Sequence, residues 1–546
     1  LTAHPARFNV AGMDGGNAKN PKWIRVIDLA ALERQGCTLV RQEGRQIALF
    51  ATPRGVFACN NRCPHEGYPL SEGTLDEACR LTCNWHNWKF DLASGANLDR
   101  GEGLRVYPLR ITEGAVWLDV ADPPAEARRA HLLASLEAAF HDNDYERIAR
   151  ELARLARLGD PLEALRAAIG WSWERLEYGW THAYAGMADW LTLHAERQDD
   201  AEAQAICLLE PLDHLAENCL RREPHPFAAG ERPWREDEFI GAIEAEDEAA
   251  AVASLRGAFA AGLHFADLER GFSRAALAHY ADFGHSLIYV AKAGELIARL
   301  GPAVEAPLLL SLARSLVYAT REELIPEFRD YAAARRDWGG SPQAPAAAAY
   351  EGLGVRRALA LTAAHGAAPP LELYRALLGA NARNLLRLDL RFQTRVDQPM
   401  ADNAGWLDVT HGITFANAVR RQCGKFPELW PAGLLQMACF AGRNSAFVDP
   451  GPDAEPGAGP WQVADPAAFF AAAIEGLLDH GQPESIVAVH LLKTTLAVRA
   501  EATSGAAGEA AATLLAGLNR YLHSPLRRRH VRRTMRQAMV FAALGD

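Results

Sequence analysis

Between Lys22 and Ala121, apolar and polar positions alternate over short stretches rich in β-branched and aromatic residues, with Gly, Asn and Pro between them. The segments Trp23–Asp28, Arg45–Phe50, Val56–Asn60, Arg80–Cys83, Trp88–Asp91, Val106–Ile111 and Ala115–Val120 read as strands, because a period of two places one set of side chains on a buried sheet face. This pattern predicts a small all-β domain over residues 22–121, preceded by a loose N-terminal arm, residues 1–21. Asp122-Pro123-Pro124 stops the last strand and starts a helix, since proline suits a first helical turn and aspartate caps it; residues 122–130 are the expected linker. Beyond it the period becomes 3.6. Ala130–Phe140, Asp144–Leu158, Pro161–Ala195, Asp199–Glu217, Ala275–Arg299, Pro307–Arg335, Leu371–Arg387, Asp408–Arg421, Pro466–Gly481 and Pro483–Arg499 read as amphipathic or buried helices. The expected fold class is therefore multidomain, a small all-β domain followed by a large all-α helical bundle over residues 131–546. Surface loops are expected at Gly339–Pro345 and Asp449–Pro460.

Composition narrows the partners. A chain of 546 residues exceeds one hydrophobic core, and 49% hydrophobic with 23% charged residues is ordinary for a folded protein. A net charge of -11 argues against nucleic acid, which needs a basic face. The one basic concentration, Arg527, Arg528, Arg529, Arg532, Arg533 and Arg536, reads as a solvated or interface face of the last helix. No window reaches the ~18 apolar residues of a membrane helix, and the first residues lack a signal-peptide core, so a cytoplasmic protein without membrane attachment is expected. The oligomeric state is open, a homo-oligomer included. Nine cysteines, odd in number and widely spaced, do not form a secreted disulfide framework.

Two of those cysteines have a better use. Cys63-Pro64-His65 and Cys83-Asn84-Trp85-His86 give Cys-x-His, 17 intervening residues (66–82), then Cys-x-x-His. A Rieske-type [2Fe–2S] cluster needs two thiolates on one iron and two imidazoles on the other, so each of two loops supplies one of each. A zinc finger also uses Cys2His2, but a Cys-x-His start on β loops with no finger helix after it does not suit one.

Over residues 22–121 the chain resembles Rieske ferredoxins and the matching domain of Rieske oxygenases. The resemblance rests on Cys63-Pro-His65-Glu-Gly67-Tyr-Pro69-Leu70-Ser-Glu-Gly73, on Cys83-Asn-Trp-His86-Asn-Trp-Lys-Phe90-Asp91, and on the closing strands Leu104–Leu109 and Ala115–Val120. It implies a [2Fe–2S] cluster on Cys63, His65, Cys83 and His86, fed by a reductase or ferredoxin. Asn84 stands where proline is usual and Asn87 where glycine is usual; asparagine tolerates positive φ, so the second loop is expected to survive. The high-potential branch of the family joins the two loops by a disulfide, and those places here hold Tyr68, Asn84 and Trp85, which implies a potential in the lower Rieske range. Cys59 and Cys79 read as buried thiols.

The helical part must use or direct the electron. Rieske oxygenases carry a mixed α/β catalytic domain with an Asp-x-x-His-x4-His helix; Asp282-Phe-Gly-His285 begins that pattern, but position 290 is Val. Instead, Asp282-Phe-Gly-His285 and Asp408-Val-Thr-His411 repeat Asp-x-x-His, a spacing that puts both side chains on one helical face. His182 and His490 each lie in a further apolar run. Di-iron bundles take a carboxylate-x-x-His pair from two helices and one more ligand from two others, so His182, Asp282, His285, Asp408, His411 and His490 are the candidate ligands of a non-haem iron centre of one or two ions. The competing reading makes them core histidines, with Lys292, Lys493 or Arg420 neutralising the aspartates. His194, His214, His264 and His279 lack a carboxylate in a comparable frame. The aromatic stretch Trp171, Trp173, Trp180, Tyr184 and Trp190 is either core or an apolar substrate pocket. Phe283–Ile288, Val409–Thr414 and Val487–Leu492 weakly resemble questin-oxidase-like proteins, helical oxidases of aromatic polyketides.

These readings converge on an oxidase or oxygenase in which the cluster passes electrons to iron for O2-dependent oxidation of a small organic, in one version aromatic, substrate. Two alternatives differ in class: an electron carrier whose helical domain is a docking module, and a haem protein with His285 or His411 as axial ligand.

Overall fold

The computed structural model describes residues 21–99, 101–399, 403–449, 459–524 and 530–543. The expected arm lies outside the described residues except for Pro21, as does most of the expected loop Asp449–Pro460. Two compact units are present, one made by the described residues through Ala139 with Arg154–Gly159, the other by Phe140–Ala153 with the described residues from Asp160 onward.

The first unit is a small β domain of three antiparallel sheets. Its strands are β1 (Trp23–Asp28), β2 (Cys37–Gln42), β3 (Arg45–Thr52), β4 (Gly55–Asn60), β5 (Thr74–Leu75), β6 (Arg80–Thr82), β7 (Lys89–Asp91), β8 (Leu109–Thr112) and β9 (Ala115–Asp119). They pair as β1-β9-β8, β2-β3-β4 and β5-β6-β7. β3 is buried on both faces, which explains its unbroken apolar run: Ile47 and Leu49 join one core with Leu32, Val116 and Leu118, while Ala48 and Phe50 join another with Leu70, Leu81 and Phe90. The expected strand Val106–Ile111 is cut short because Pro108 has no N–H for a ladder; Val106 makes only an isolated bridge to Cys59, and β8 begins at Leu109. The helix Leu29–Gln35 and strand β2 had no predicted counterpart. Within the expected linker, Asp122 accepts from Arg45 and Arg105 at 2.7 and 2.8 Å, and a helix already starts at Ala125.

The second unit is helical, and two of its predicted helices are broken in ways that matter. Pro161–Ala195 is two helices, Glu163–Ser172 and His182–Glu196; the second starts where Thr181 turns extended and its hydroxyl accepts from the Ala183 N–H at 3.2 Å. Ala275–Arg299 is interrupted by Asp282, Phe283 and Gly284 at φ 49°, 52° and 76°. Three successive left-handed residues cannot continue a right-handed helix, so a new one, His285–Leu300, starts after them. At Gly284 a Cβ would stand 2.5 Å from the Phe415 ring, so this position demands glycine for space as well as for φ.

Four helices, His182–Glu196, His285–Leu300, Trp406–Lys425 and Ser485–Thr503, pack each against the next and the fourth against the first, closing a ring. Gly186 lets the first and fourth approach closely: a Cβ there would lie 2.2 Å from Val489 Cγ2. No helix among the described residues is long and apolar enough to cross a membrane.

Candidate metal centres

In the β unit, the loops after β4 and β6 are built alike. The Cys63 N–H donates to the Tyr68 carbonyl and the Gly67 N–H returns to the Cys63 carbonyl, both at 2.8 Å. In the other loop Cys83 N–H donates to Trp88 O at 2.8 Å and Asn87 N–H to Cys83 O at 2.9 Å. Gly67 and Asn87 occupy equivalent places and both have positive φ, 80° and 62°. Asparagine thus takes over the glycine's conformation, as its short polar side chain permits. Both cysteines are buried in the same core as Phe90. The His65 and His86 rings lie edge to face with centroids 4.5 Å apart, His65 stacks on Trp88, and His86 is exposed. Two buried thiols with a half-buried imidazole and an exposed one fit the donor set of a Rieske [2Fe–2S] cluster. The disulfide places hold Tyr68 and Trp85, which stack on each other with centroids 4.2 Å apart, and Trp85 is exposed. Cys59 and Cys79 are buried free thiols.

In the helical unit, the ring of four helices brings four imidazoles together. His182 and His285 each open a helix, while His411 and His490 are each the sixth residue of theirs. His285 Nε2 lies 3.0 Å from His182 Nε2 and 2.9 Å from His411 Nε2, and His411 Nε2 lies 3.4 Å from His490 Nε2. The metal-capable group whose ligand atoms all lie within 4.8 Å is His182, His285 and His411, with His490 joined through His411.

The other ring nitrogens fix the tautomers. His285 Nδ1 donates to Asp282 O at 2.5 Å, His411 Nδ1 to Leu407 O at 2.6 Å and His490 Nδ1 to Ile486 O at 2.6 Å. A carbonyl only accepts, so in these three each Nδ1 carries the proton and each Nε2 presents a lone pair, that of His411 with Lys493 Nζ 3.2 Å away. Burial pushes all four imidazoles below their usual range, His285 to about 3, with the Lys493 ammonium adding to the effect, so the neutral forms hold. Two lone pairs facing each other at 2.9 Å repel unless a cation lies between them. Nitrogens about 2.1 Å from one ion stand about 3.0 Å apart at 90°, which matches the spacings of His285 to His182 and to His411. The donor set therefore fits a metal ion.

The two aspartates are not part of it. Asp282 lies in the left-handed turn before the His285 helix, not one turn along it; its backbone carbonyl holds His285 Nδ1 and its Oδ2 is 3.9 Å from that nitrogen, on the side away from Nε2. Asp408, in the first turn of its helix, accepts the Gly405 N–H at 2.9 Å, and its other oxygen is 3.9 Å from Arg443 Nη2. It is a helix cap, spaced correctly along the sequence but spent on the helix's unpaired N–H groups. The cations expected to compete for these aspartates are engaged elsewhere: Lys292 with Asp189 and Glu295, and Arg420 with Glu501. Of the remaining histidines, His264 pairs with Glu305, and His279 sits between Glu244 and Glu323. His214 is a buried core residue that burial pushes down to about 4.

A cavity of about 290 Å³ opens beside the imidazoles, lined by His182, His285, Ile288, Tyr289, Lys493 and Leu496 among others. His182 and His285 keep accessible surface there, while His411 and His490 are almost fully buried. The aromatic stretch around His182 is core: Trp180 Nε1 donates to Leu308 O at 2.8 Å, Trp173 stacks on Phe227, and Tyr184 bonds Ser172 at 2.7 Å. Sequence reading missed Tyr289 and the position of Lys493, whose Nζ is 3.2 Å from His411 Nε2 and whose burial pushes it down to about 7. Each lies one turn past a site histidine, four residues after His285 and three after His490, and that spacing was the available signal.

Comparison with known proteins agrees with the β unit. The Rieske [2Fe-2S] domain family matches residues 22–107, and through this region the chain belongs to that family. It is 36% identical over 96 residues to a 4beta-methylsterol monooxygenase of Methylococcus capsulatus, covering 15% of this chain and 26% of the relative. It is 28% identical over 102 residues to the ferredoxin component of a naphthalene 1,2-dioxygenase system of Pseudomonas putida, covering 18% and 97%. It is 35% identical over 78 residues to the anthranilate 1,2-dioxygenase ferredoxin subunit of Burkholderia cepacia, covering 14% and 71%. The chain thus spans about a quarter of the monooxygenase and most of each ferredoxin. The matches to oxygenases are confined to the Rieske domain. A Rieske domain with its [2Fe–2S] cluster is therefore the part of the chain that these relatives define.

Proposed function

We propose that this chain is a Rieske-fused non-haem iron oxidase or oxygenase. Cys63 and Cys83 hold one iron of the [2Fe–2S] cluster, and His65 and His86 the other. The cluster takes single electrons from a reductase or ferredoxin, and its outward imidazoles are the exit route. His182, His285 and His411, with His490 beside them, hold an iron ion that supplies O2 activation, and the neighbouring cavity holds a small organic substrate. The observation that carries this reading is the 2.9 Å approach of His285 and His411 Nε2, with both Nδ1 protons committed to carbonyls. Imidazole suits zinc, copper and nickel as well as iron. Zinc is disfavoured because an electron donor fused to a redox-inert ion has nothing to reduce, and iron is preferred to copper and nickel because the relatives include a monooxygenase and dioxygenase ferredoxins.

Metal content tests it. The wild-type chain should carry iron beyond the cluster's two atoms, and His285→Ala and His411→Ala should each return it to two while leaving the cluster's EPR signal intact. Iron at two per chain in the wild type sinks the reading. One observation favours a second reading, an electron carrier with a non-catalytic helical docking part: the chain covers 97% and 71% of two relatives that are themselves ferredoxin components. Two irons per chain, with electron transfer to an outside acceptor unchanged in His411→Ala, is the outcome that reading requires.

A further inference from the structure

We propose that the cavity beside the four histidines takes an organic anion, whose ionised oxygen pairs with the Lys493 ammonium at the histidine end. This rests on the iron reading above and names the class of its substrate.

The charges around the cavity do not balance. Lys292, Arg421, Lys493 and Arg499 line it, with the carboxylates of Asp189 and Glu295. Lys292 Nζ donates to Asp189 Oδ1 at 2.7 Å and Glu295 Oε2 at 2.9 Å, and Arg421 pairs with the other Glu295 oxygen. Arg499 is held in a two-pronged pair by Glu196 at 2.7 and 2.9 Å. Three carboxylates thus answer three of the four cations. Lys493 has no ion-pair partner among the described residues; it is 5% exposed, and its Nζ meets His411 Nε2 instead. The Asp189 carboxylate acts on it only from beyond ion-pair distance, being bonded to Lys292; an ammonium withdrawn from water with no carboxylate of its own is costly, and a ligand anion relieves it.

The donor set adds to the demand. Imidazoles are neutral ligands, so an iron(II) ion on His182, His285 and His411 brings two more positive charges to the same end of the cavity. Asp282 stands on the Nδ1 side of His285 and Asp408 caps its helix, so neither carboxylate supplies a charge on the Nε2 side. Metal sites with carboxylate ligands neutralise much of their own charge; this one leaves that to what binds beside it. Ile288, Tyr289, Leu496 and several alanines give the wall apolar surface, with Thr192, Thr414, Asn417 and Thr503 between them, and a volume of about 290 Å³ suits a compact ligand, at the small end of binding cavities. The ligand class is therefore a small, mostly apolar molecule with one ionised oxygen, a carboxylate or a phenolate.

Calorimetry on the full chain, with cluster and helical iron in place, tests this with three probes: benzoate, 4-nitrophenolate and neutral benzamide. At least one anion should bind tenfold or more tighter than benzamide, and the better of the two identifies carboxylate or phenolate as the source of the oxygen. Lys493→Met should cut the anion preference at least threefold, the iron's charge leaving a remainder, and Lys493→Arg should keep it in full, both with unchanged iron. Equal binding of all three probes to the iron-loaded wild type overturns the assignment, as does a preference that Lys493→Met leaves undiminished. Loss of iron from Lys493→Met overturns it as well, by making the lysine part of the ion's own surroundings. Failure of the iron reading is separate, since it is read from metal content before any probe is added.

Discussion

The two units gather metal-capable side chains in opposite ways. In the β unit the donors come as local pairs, Cys63 with His65 and Cys83 with His86, on two loops whose backbone hydrogen bonds repeat each other. In the helical unit each donor comes from a different helix, and His182, His285, His411 and His490 are 79 or more residues apart. The loops are stiffened by turns, whereas the bundle orients the His411 and His490 rings through Nδ1–H bonds to carbonyls one helical turn earlier. A site made by local turns survives as a short motif; a site made by tertiary packing depends on every helix start being in place.

The largest effect separates donor from catalyst. Cys83→Ser should abolish the Rieske EPR signal and bring reductase-driven O2 uptake to background, with the helical iron retained. His411→Ala should leave cluster reduction by the reductase unchanged, yet lower O2 uptake by more than the roughly 10–100-fold that loss of an outer partner costs a metal site. The two variants are compared by EPR, metal analysis and an oxygen electrode. If His411→Ala consumes oxygen as fast as wild type, the helical histidines are not where O2 reacts.

The same contrast explains what could be read from the sequence. Cys-x-His and Cys-x-x-His on alternating β segments pointed to the cluster loops directly, and even the exception at Asn87 followed from its tolerance of positive φ, 62° here. In the helical part the four histidines could be picked out because each lies in an apolar run, but the Asp-x-x-His frame assumed an unbroken helix. It failed at Asp282 because Phe283 and Gly284 are left-handed, and at Asp408 because a helix N-terminus competes for carboxylates. Along the sequence Lys493 reads as an ion-pair partner for an aspartate. Its place 3.2 Å from His411 depends on how two helices pack, information that spacing along one helix does not contain.

A smaller effect contrasts the carboxylates of the two units. In the β unit Asp76 is held below the usual range, chiefly by the Arg80 N–H; Asp122 is pushed up by burial but pulled down further by bonds from Arg105 and Arg45. In the helical unit burial pushes Glu322 up to about 8 against the opposing Phe283 N–H, which donates to Oε1 at 3.0 Å. The folded chain therefore keeps this proton up to about pH 8, while the unfolded chain releases it near 4.5. Between those values the folded state binds more protons, so the Glu322 contribution falls as pH rises, by at most about 1.4 kcal/mol per unit. Glu322→Gln keeps the acceptor for Phe283 and removes the titration. Urea unfolding followed by circular dichroism should show the variant gaining on wild type by about 2 kcal/mol between pH 5.5 and 7.5. A difference that does not change with pH would mean that Glu322 is ionised in the fold throughout.

The smallest effect decides whether the helical donor set is all imidazole. Asp408 Oδ2 accepts the Gly405 N–H, and the next carbonyl back along the chain, that of Leu407, holds His411 Nδ1. Replacing the carboxylate by a methyl group frees one N–H at the helix start, which costs about 1 kcal/mol, the usual worth of a capping bond. Fraying of that first turn loosens the carbonyl that orients His411, so iron affinity should fall by no more than the roughly 10-fold low end of an outer-partner loss, and iron stoichiometry should hold when metal is in excess. Asp408→Ala is thus expected to keep its helical iron while unfolding at slightly lower urea, whereas His411→Ala loses the iron outright. Metal analysis of the two variants, purified together under the same iron supply, makes the comparison. If Asp408→Ala also returns to two irons per chain, the carboxylate turns toward the ion when metal is bound; the site then carries a negative ligand, and the unbalanced charge beside Lys493 shrinks with it.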